Sequence, residues 1–176
     1  KIKYINSLKK DLLRRDFTMN TLCIDSNNNV IDLLHVRCDI DNHIIKTVGN
    51  PRYRIKEDSL RILRAIRFST ILDFKIDDKT MIYLKKYGYL LKNLSYNRKK
   101  EELDKIFSSS NREKGIRLIL DLGLDKYLDI SKLKDVIVCD NIVGIWSQLD
   151  VDNLYPFTKL EKLQMKKVRE LVKLDL

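Results

Sequence analysis

The sequence predicts a mostly α-helical chain with a small β part confined to its first fifty residues. Apolar positions recur at helix spacing from about residue 57 onward, and the β-rich runs fall between residues 21 and 48. Gly and Pro, the residues that punctuate turn-rich β folds, number only 5 and 2. Within 176 residues, 44% are hydrophobic and 34% charged, which excludes disordered and collagenous chains. A chain of this length buries a core without disulfide or metal staples.

Thr21-Leu22-Cys23-Ile24 and Val30-Ile31-Asp32-Leu33-Leu34 flank Asp25-Ser26-Asn27-Asn28-Asn29. Two β-rich runs around an Asn cluster predict a hairpin, because Asn tolerates the positive φ of tight turns. Ile44 to Val48, ahead of Gly49, predicts a third strand. Three short strands do not make a stable sheet by themselves, so they are expected to complete one whose other strands lie elsewhere. Leu60, Leu63, Ile66 and Ile71, widened by Ile62 and Phe68, mark a first long helix. Asp77 is placed to cap a second through about Leu91, and Ser95 a third through about Phe107. Ser108 to Asn111 reads as a joint. A fourth helix, about Arg112 to Leu122, stops at Gly123. Thr158 and Glu161 form a capping box that opens a final helix to about Leu174. A partial α/β piece thus precedes an all-helical remainder, divided near Gly49-Asn50-Pro51.

Uncharged runs reach only about nine residues (Asn141 to Leu149), against roughly 18–20 for a membrane span. No membrane span and no export leader is expected. Cys23, Cys38 and Cys139 are odd in number and far apart, and His35 and His43 are not spaced as a metal pair. These features predict reduced, packing cysteines in a cytoplasmic protein without a zinc site. Lys and Arg outnumber Asp and Glu by 35 to 25, a net charge of +10, with a pI near 9.4. That surplus favours a polyanion; nucleic acid and an anionic membrane surface both satisfy it.

Several clusters could carry chemistry. Arg14 and Arg15 suit phosphate oxygens, while Asp16 could accept from a ribose hydroxyl or hold an arginine. A solvated basic turn with Asp16 as a helix cap fits the same residues. Asp58 and Arg61, three apart, would share a helix face, with Arg64 one turn on. An acceptor beside a donor matches the Watson–Crick edges of cytosine and adenine, which pair an amino group with a ring-nitrogen acceptor. Guanine and uracil present a carbonyl and an N–H there and would clash. An ordinary intrahelical ion pair fits the spacing too. Arg98, Glu102 and Lys105 make a charged ladder that reads, taken alone, as ion pairing on a solvated face. Asp39-Ile40-Asp41 has the spacing of a two-metal carboxylate pair. No Gly-Ser precedes it and its surroundings read as a turn or short helix, so it is taken as a decoy.

In order, these segments form a pattern: Arg14-Arg15-Asp16-Phe17-Thr18-x-Asn20, Ile31-Asp32, Asp39-Ile40, Thr47-Val48-Gly49-x-Pro51, Glu57-Asp58-x-Leu60-Arg61-Ile62-Leu63-Arg64-Ala65-Ile66-Arg67-Phe68, and Arg98-x-x-x-Glu102-x-x-Lys105. It strongly resembles the bacterial-type (class II) tRNA nucleotidyltransferase (CCA-adding) and poly(A) polymerase family. The likeness runs from Leu12 to Phe107 and continues faintly through Tyr155-Pro156-Phe157-Thr158-Lys159. It implies template-independent addition of nucleotides from CTP and ATP to a tRNA 3′ end, with Mg²⁺. By matching position, Arg14, Arg15, Asp16 and Asn20 belong to a motif that handles ribose and phosphate. Asp58 and Arg61 match the protein template for the incoming C or A, with Glu57, Arg64 and Arg67 in the same motif. Arg98, Glu102 and Lys105 match a neck motif that braces that site. Asp32 and Asp39 match a flexible segment between head and neck. The implied division is the end of a head domain at 1–50, a helical, nucleotide-selecting neck at 51–110, and the start of a tRNA-binding body at 111–176.

The sequence departs from the family twice. The flexible segment normally reads Asp-Pro-Phe-Gly-Gly but here is Asp32-Leu33-Leu34-His35-Val36, without the glycines that supply dihedral freedom. The family's catalytic Gly-Ser and Asp-x-Asp precede the double arginine, which here stands about a dozen residues from Lys1. The resemblance therefore implies no catalytic or metal-holding residue in this chain, no catalysis by it alone, and a head segment supplied in cis or in trans. Alternatives are a poly(A) polymerase that adds A only and a non-catalytic RNA-binding module derived from the family.

Overall fold

In the computed structural model, which describes residues 7–174, Leu8–Leu13 forms a short helix, α1, that ends at the double arginine. Residues 1–6 and 175–176, at the outer ends of the first and last expected segments, lie outside the described residues. Thr18–Thr21 is a 3-10 turn, so the first strand begins late: β1 (Cys23–Ile24) pairs antiparallel with β2 (Val30–Ile31). The hairpin turns as expected. Asn28 adopts φ 64°, and the Asp25 carboxylate accepts from the Asn27 and Asn29 N–H groups at 2.8 and 2.9 Å. β2 stops short of Leu34 because Asp32 accepts from the Val36 and Arg37 N–H groups, at 2.9 and 3.0 Å, and so caps α2 (Arg37–Asp41).

The expected third strand is only β3 (Ile44–Ile45), and its partner comes from within the chain. β3 pairs in parallel with β4 (Lys75–Ile76), in a region whose sequence reads as wholly helical. A two-residue strand has no period for a sequence to display. The three expected strands therefore do not form one sheet. Thr47 instead bridges Phe17.

A further helix, α3 (Pro51–Glu57), opens where the sequence shows only a joint; Asn50 accepts from the Arg52 N–H at 3.0 Å and Pro51 fills the first turn. α4 (Leu60–Leu72) buries Ile62, Leu63, Ala65 and Ile66 completely and ends at Asp73 with φ 55°. α5 (Asp78–Lys86) is capped by Asp77 as expected, but it gives way to a 3-10 segment, Gly88–Asn93, before Leu91. A Cβ at Gly88 would meet Leu124 at 2.5 Å, so that segment lies hard against the following layer. α6 (Tyr96–Phe107) starts at Ser95, and α7 (Arg112–Asp121) closes at Gly123 with φ 63°. There the Gly123 and Leu124 N–H groups donate to the Leu120 and Ile119 carbonyls, both at 2.9 Å, a Schellman closure. α8 (Ile142–Ser147) and α9 (Lys159–Leu174) follow. The Thr158–Glu161 capping box forms in both directions, at 2.6 and 3.2 Å.

α4 is the central element, packed on α6 and α7, while α8 packs on α9. Trp146 meets Phe107 edge-on at 5.2 Å and joins the second pair of helices to the first. Phe17 and Ile45 are fully buried in the same core as Ile62 and Leu63. Their burial pins the 14–20 segment beside α4.

Candidate functional site

That packing leaves an open cleft of about 770 Å³ between the 15–22 segment, the α3–α4 junction, α4 and the start of α6. Arg15, Asp16, Asn20, Asp58, Arg61, Arg64 and Arg98 supply its polar wall. Met19, Leu22, Leu60 and Phe68 supply the apolar one. Arg64 lies 5.5 Å from the Phe68 ring centre, so cation and aromatic face meet inside the cleft.

Asp16 is 8% exposed, which overturns the solvated-turn reading. One carboxylate oxygen accepts from Arg64 Nε at 2.6 Å; the other accepts from the Asn20 amide at 2.8 Å and the Phe17 N–H at 2.9 Å. With both oxygens engaged, Asp16 holds the Arg64 guanidinium against the wall. Burial pushes the Asp16 carboxyl up, but the Asn20 hydrogen bond, the Arg64 charge and hydrogen bond, and the Phe17 N–H outweigh it and hold the group below the usual range. A depressed folded value stabilises the fold above the ordinary carboxyl value of 3.8 and loses that contribution as pH falls through the folded value. The stability gap between wild type and Asp16→Asn is therefore full at about pH 6 and closes as acid is added below about pH 4. Denaturant melts across that range check it, and a gap constant down to about pH 2 contradicts it.

Arg15 lines the cleft and donates to the Asn20 carbonyl at 2.7 Å. Arg14 does not line it: its side chain is 60% exposed and pairs with Asp11, which also pairs with Arg15. Asp11, in α1, stands three and four residues before the two arginines that follow the helix, a spacing that marks it as their partner.

Asp58 is not on a helix. It follows α3 in an extended conformation, φ −147° and ψ 106°, so the shared-face argument and the intrahelical ion pair with Arg61 both fail. Instead Arg98 Nη2 bridges the two Asp58 oxygens at 3.2 and 3.1 Å, and the Leu60 N–H donates to Oδ1 at 3.1 Å. Arg61 Nη1 donates to Glu57 and to the Arg54 carbonyl, each at 2.6 Å. Glu57 lies off the cleft wall, and the arginine beside it holds its carboxyl below the usual range. Asp58 and Arg61 still line one wall together, each braced by a different partner.

Of the α6 ladder, Arg98 and Lys105 are exposed and only Glu102 is buried. The Glu102 side chain is 4% exposed and accepts from Arg67 Nη1 at 3.0 Å, with Lys105 at 3.7 Å, while Arg98 reaches across to Asp58. Arg67 lies outside the cleft, in an adjoining apolar trough with Lys105, Ile71 and Phe74. Asp32 and Asp39 also lie away from the cleft, at and on α2. His35 takes φ 53° at a position where the family has glycine, so the segment makes its turn without one. Asp39 and Asp41 stand on one helical turn, where residues two apart do not face each other. Asp16 and Asp58 are each already held by a guanidinium. Among the described residues, these carboxylates do not fit a Mg²⁺ site.

Residues 1–46 match the family described as "Poly A polymerase head domain", and residues 73–130 match "Probable RNA and SrmB- binding site of polymerase A". A CCA-adding enzyme of Streptococcus agalactiae is 36% identical over 154 residues, covering 88% of this chain and 37% of its own. The chain belongs to the class II CCA-adding enzyme and poly(A) polymerase family. The CCA-adding enzyme of Bacillus pumilus is 33% identical over 97% of this chain and 46% of its own. The crystal structure of the Bacillus stearothermophilus CCA-adding enzyme in complex with CTP superposes with a TM-score of 0.76 at 31% identity, covering 96% and 46% of the two chains. The Thermotoga maritima CCA-adding enzyme, complexed with tRNA, shares the fold with a TM-score of 0.73 at 24% identity, over 93% and 48%. The chain thus spans less than half the length of each of these CCA-adding enzymes.

Proposed function

We propose that this chain is the nucleotide-selecting part of a cytoplasmic RNA nucleotidyltransferase that adds C and A to tRNA 3′ ends, with Asp58 and Arg61 choosing CTP and ATP. Residues 1–50 act as the end of a head, 51–110 as the neck, and 111–176 as the start of a tRNA-holding body. The observation that carries the reading is the unused hydrogen-bonding capacity of the pair. Asp58 Oδ2 accepts from Arg98 alone, which leaves a lone pair for a base amino group. Arg61 commits Nη1 and makes one 3.4 Å contact from Nη2 to the Arg14 carbonyl, leaving N–H donors for a ring nitrogen. An acceptor and a donor side by side fit cytosine and adenine and oppose guanine and uracil.

Arg15 and Arg64 face the cleft for phosphate, with Asp16 and Asn20 setting their positions; Arg98, Glu102 and Lys105 brace the wall behind Asp58. The CTP complex of the Bacillus stearothermophilus relative supports a nucleoside triphosphate as substrate. Mg²⁺ is assigned to Asp-x-Asp carboxylates of a head segment outside these residues, in cis or in trans, so this chain alone selects without catalysing. Nucleotide titration of the chain tests the reading. CTP and ATP bind in competition, at least tenfold tighter than GTP and UTP; equal binding of all four refutes it.

A further inference from the structure

Arg54, on α3, does not line the cleft, yet each nitrogen of its guanidinium donates to a different segment. Nε donates to the Val48 carbonyl at 2.9 Å and Nη1 to Glu57 at 3.0 Å, while Nη2 donates to the Leu13 carbonyl at the end of α1. Arg61 takes the neighbouring acceptors. Its Nη1 donates to the same Glu57 oxygen and to the Arg54 carbonyl, each at 2.6 Å, and its Nη2 to the Arg14 carbonyl at 3.4 Å. Two consecutive carbonyls at the end of α1 are thus each received by an arginine, and one Glu57 oxygen joins those arginines. The Val48 N–H in turn donates to the Asp16 carbonyl at 3.0 Å. The stretch from Leu13 to Asp16, which carries Arg15 into the cleft, is therefore held at both ends by groups that meet at Arg54.

α1 has only six residues, too few for a helix to hold itself, and its last carbonyls have no partners within it. The position of its end is set by what those carbonyls meet. A planar guanidinium serves three acceptors in fixed directions, whereas a compact ammonium does not span them. The Arg54 side chain is 20% exposed, so water competes little for these bonds. Arg54 also lies outside both regions that match the family models. We propose that Arg54 is a positioning residue for nucleotide selection: it fixes Arg61, on the base wall, and Arg15, on the phosphate wall, relative to each other without touching the nucleotide. The proposal rests on the reading of Arg61 as a base contact and deepens it.

Nucleotide titrations of the full chain, paired with amide hydrogen exchange on the nucleotide-free chain, test it. Arg54→Met lowers the preference for CTP over GTP by about 5-fold or more, the worth of one hydrogen bond. In an Arg61→Ala background the same change alters the preference by less than about 2-fold, because the residue it acts through is gone. Without nucleotide, exchange of the Arg15 and Val48 amides quickens by about 5-fold or more as the end of α1 loosens. Arg54→Lys keeps the charge and loses the fork; it reproduces the lost preference and decides the matter if Arg54→Met does not fold. Equal weakening of CTP and GTP, or a preference kept in full, overturns the proposal. A wild-type chain without any preference for CTP, in which Arg54→Met still quickens exchange, refutes the reading of Arg61 alone. Unchanged exchange refutes the role of Arg54.

Discussion

In a complete nucleotidyltransferase, Arg61→Ala costs C and A their advantage over G and U by roughly 10- to 100-fold, the value of a good bidentate base contact at about 1–3 kcal/mol. The change removes the donor to the ring nitrogen that cytosine and adenine share and guanine and uracil lack. It also frees the exposed Glu57 and removes the donors to the Arg54 and Arg14 carbonyls, so a thermal melt of the variant accompanies the assay. Asp58→Asn acts differently. An amide presents a donor as well as an acceptor, so discrimination at the amino or O4 position weakens while uracil N3–H still opposes Arg61. Incorporation of each of the four nucleotides into tRNA lacking CCA separates the two variants. Unchanged selectivity in Arg61→Ala removes that arginine from the template.

Glu102→Ala is the most damaging single change expected for stability. It leaves the Arg67 guanidinium, 11% exposed, without its carboxylate, and breaking a buried pair costs about 3–5 kcal/mol. At roughly 2–4 °C per kcal/mol for a chain of this size, the melting midpoint drops by about 6–20 °C. Removing both charges with Arg67→Met/Glu102→Leu restores most of that loss, because the pair's attraction largely offsets its own desolvation. A thermal melt that finds the single variant within about 1 kcal/mol of wild type contradicts the account of α6 as a brace glued to α4.

The long helices were legible because an apolar stripe, an N-cap and a C′ glycine recur in the chain itself: α4, α7 and the capping box of α9 all form close to where those signals lie. β4 was not legible, since two residues have no period, and α3 hides behind a Pro that reads as a boundary. At the site, residue identities were more legible than their partners. Asp58 and Arg61 stand on one wall as their motif implies, but each finds its ion partner elsewhere, Asp58 with Arg98 forty residues on. Asp16 and Glu102 look like surface carboxylates because charge spacing records neighbours along the chain, whereas their burial depends on α4 packing over them. Sequence spacing can propose a pair within one helix; it cannot see a guanidinium that arrives from another.

The central claim is that Asp58 accepts the exocyclic amino group common to cytosine and adenine, and base analogues test it most directly. Titrations of the chain compare CTP with 2-pyrimidinone riboside triphosphate, and ATP with purine riboside triphosphate, each analogue lacking only the amino group. The account predicts that both analogues bind at least fivefold more weakly than their parents, and that Asp58→Ala erases both differences. Equal binding of parent and analogue in the wild type would contradict it.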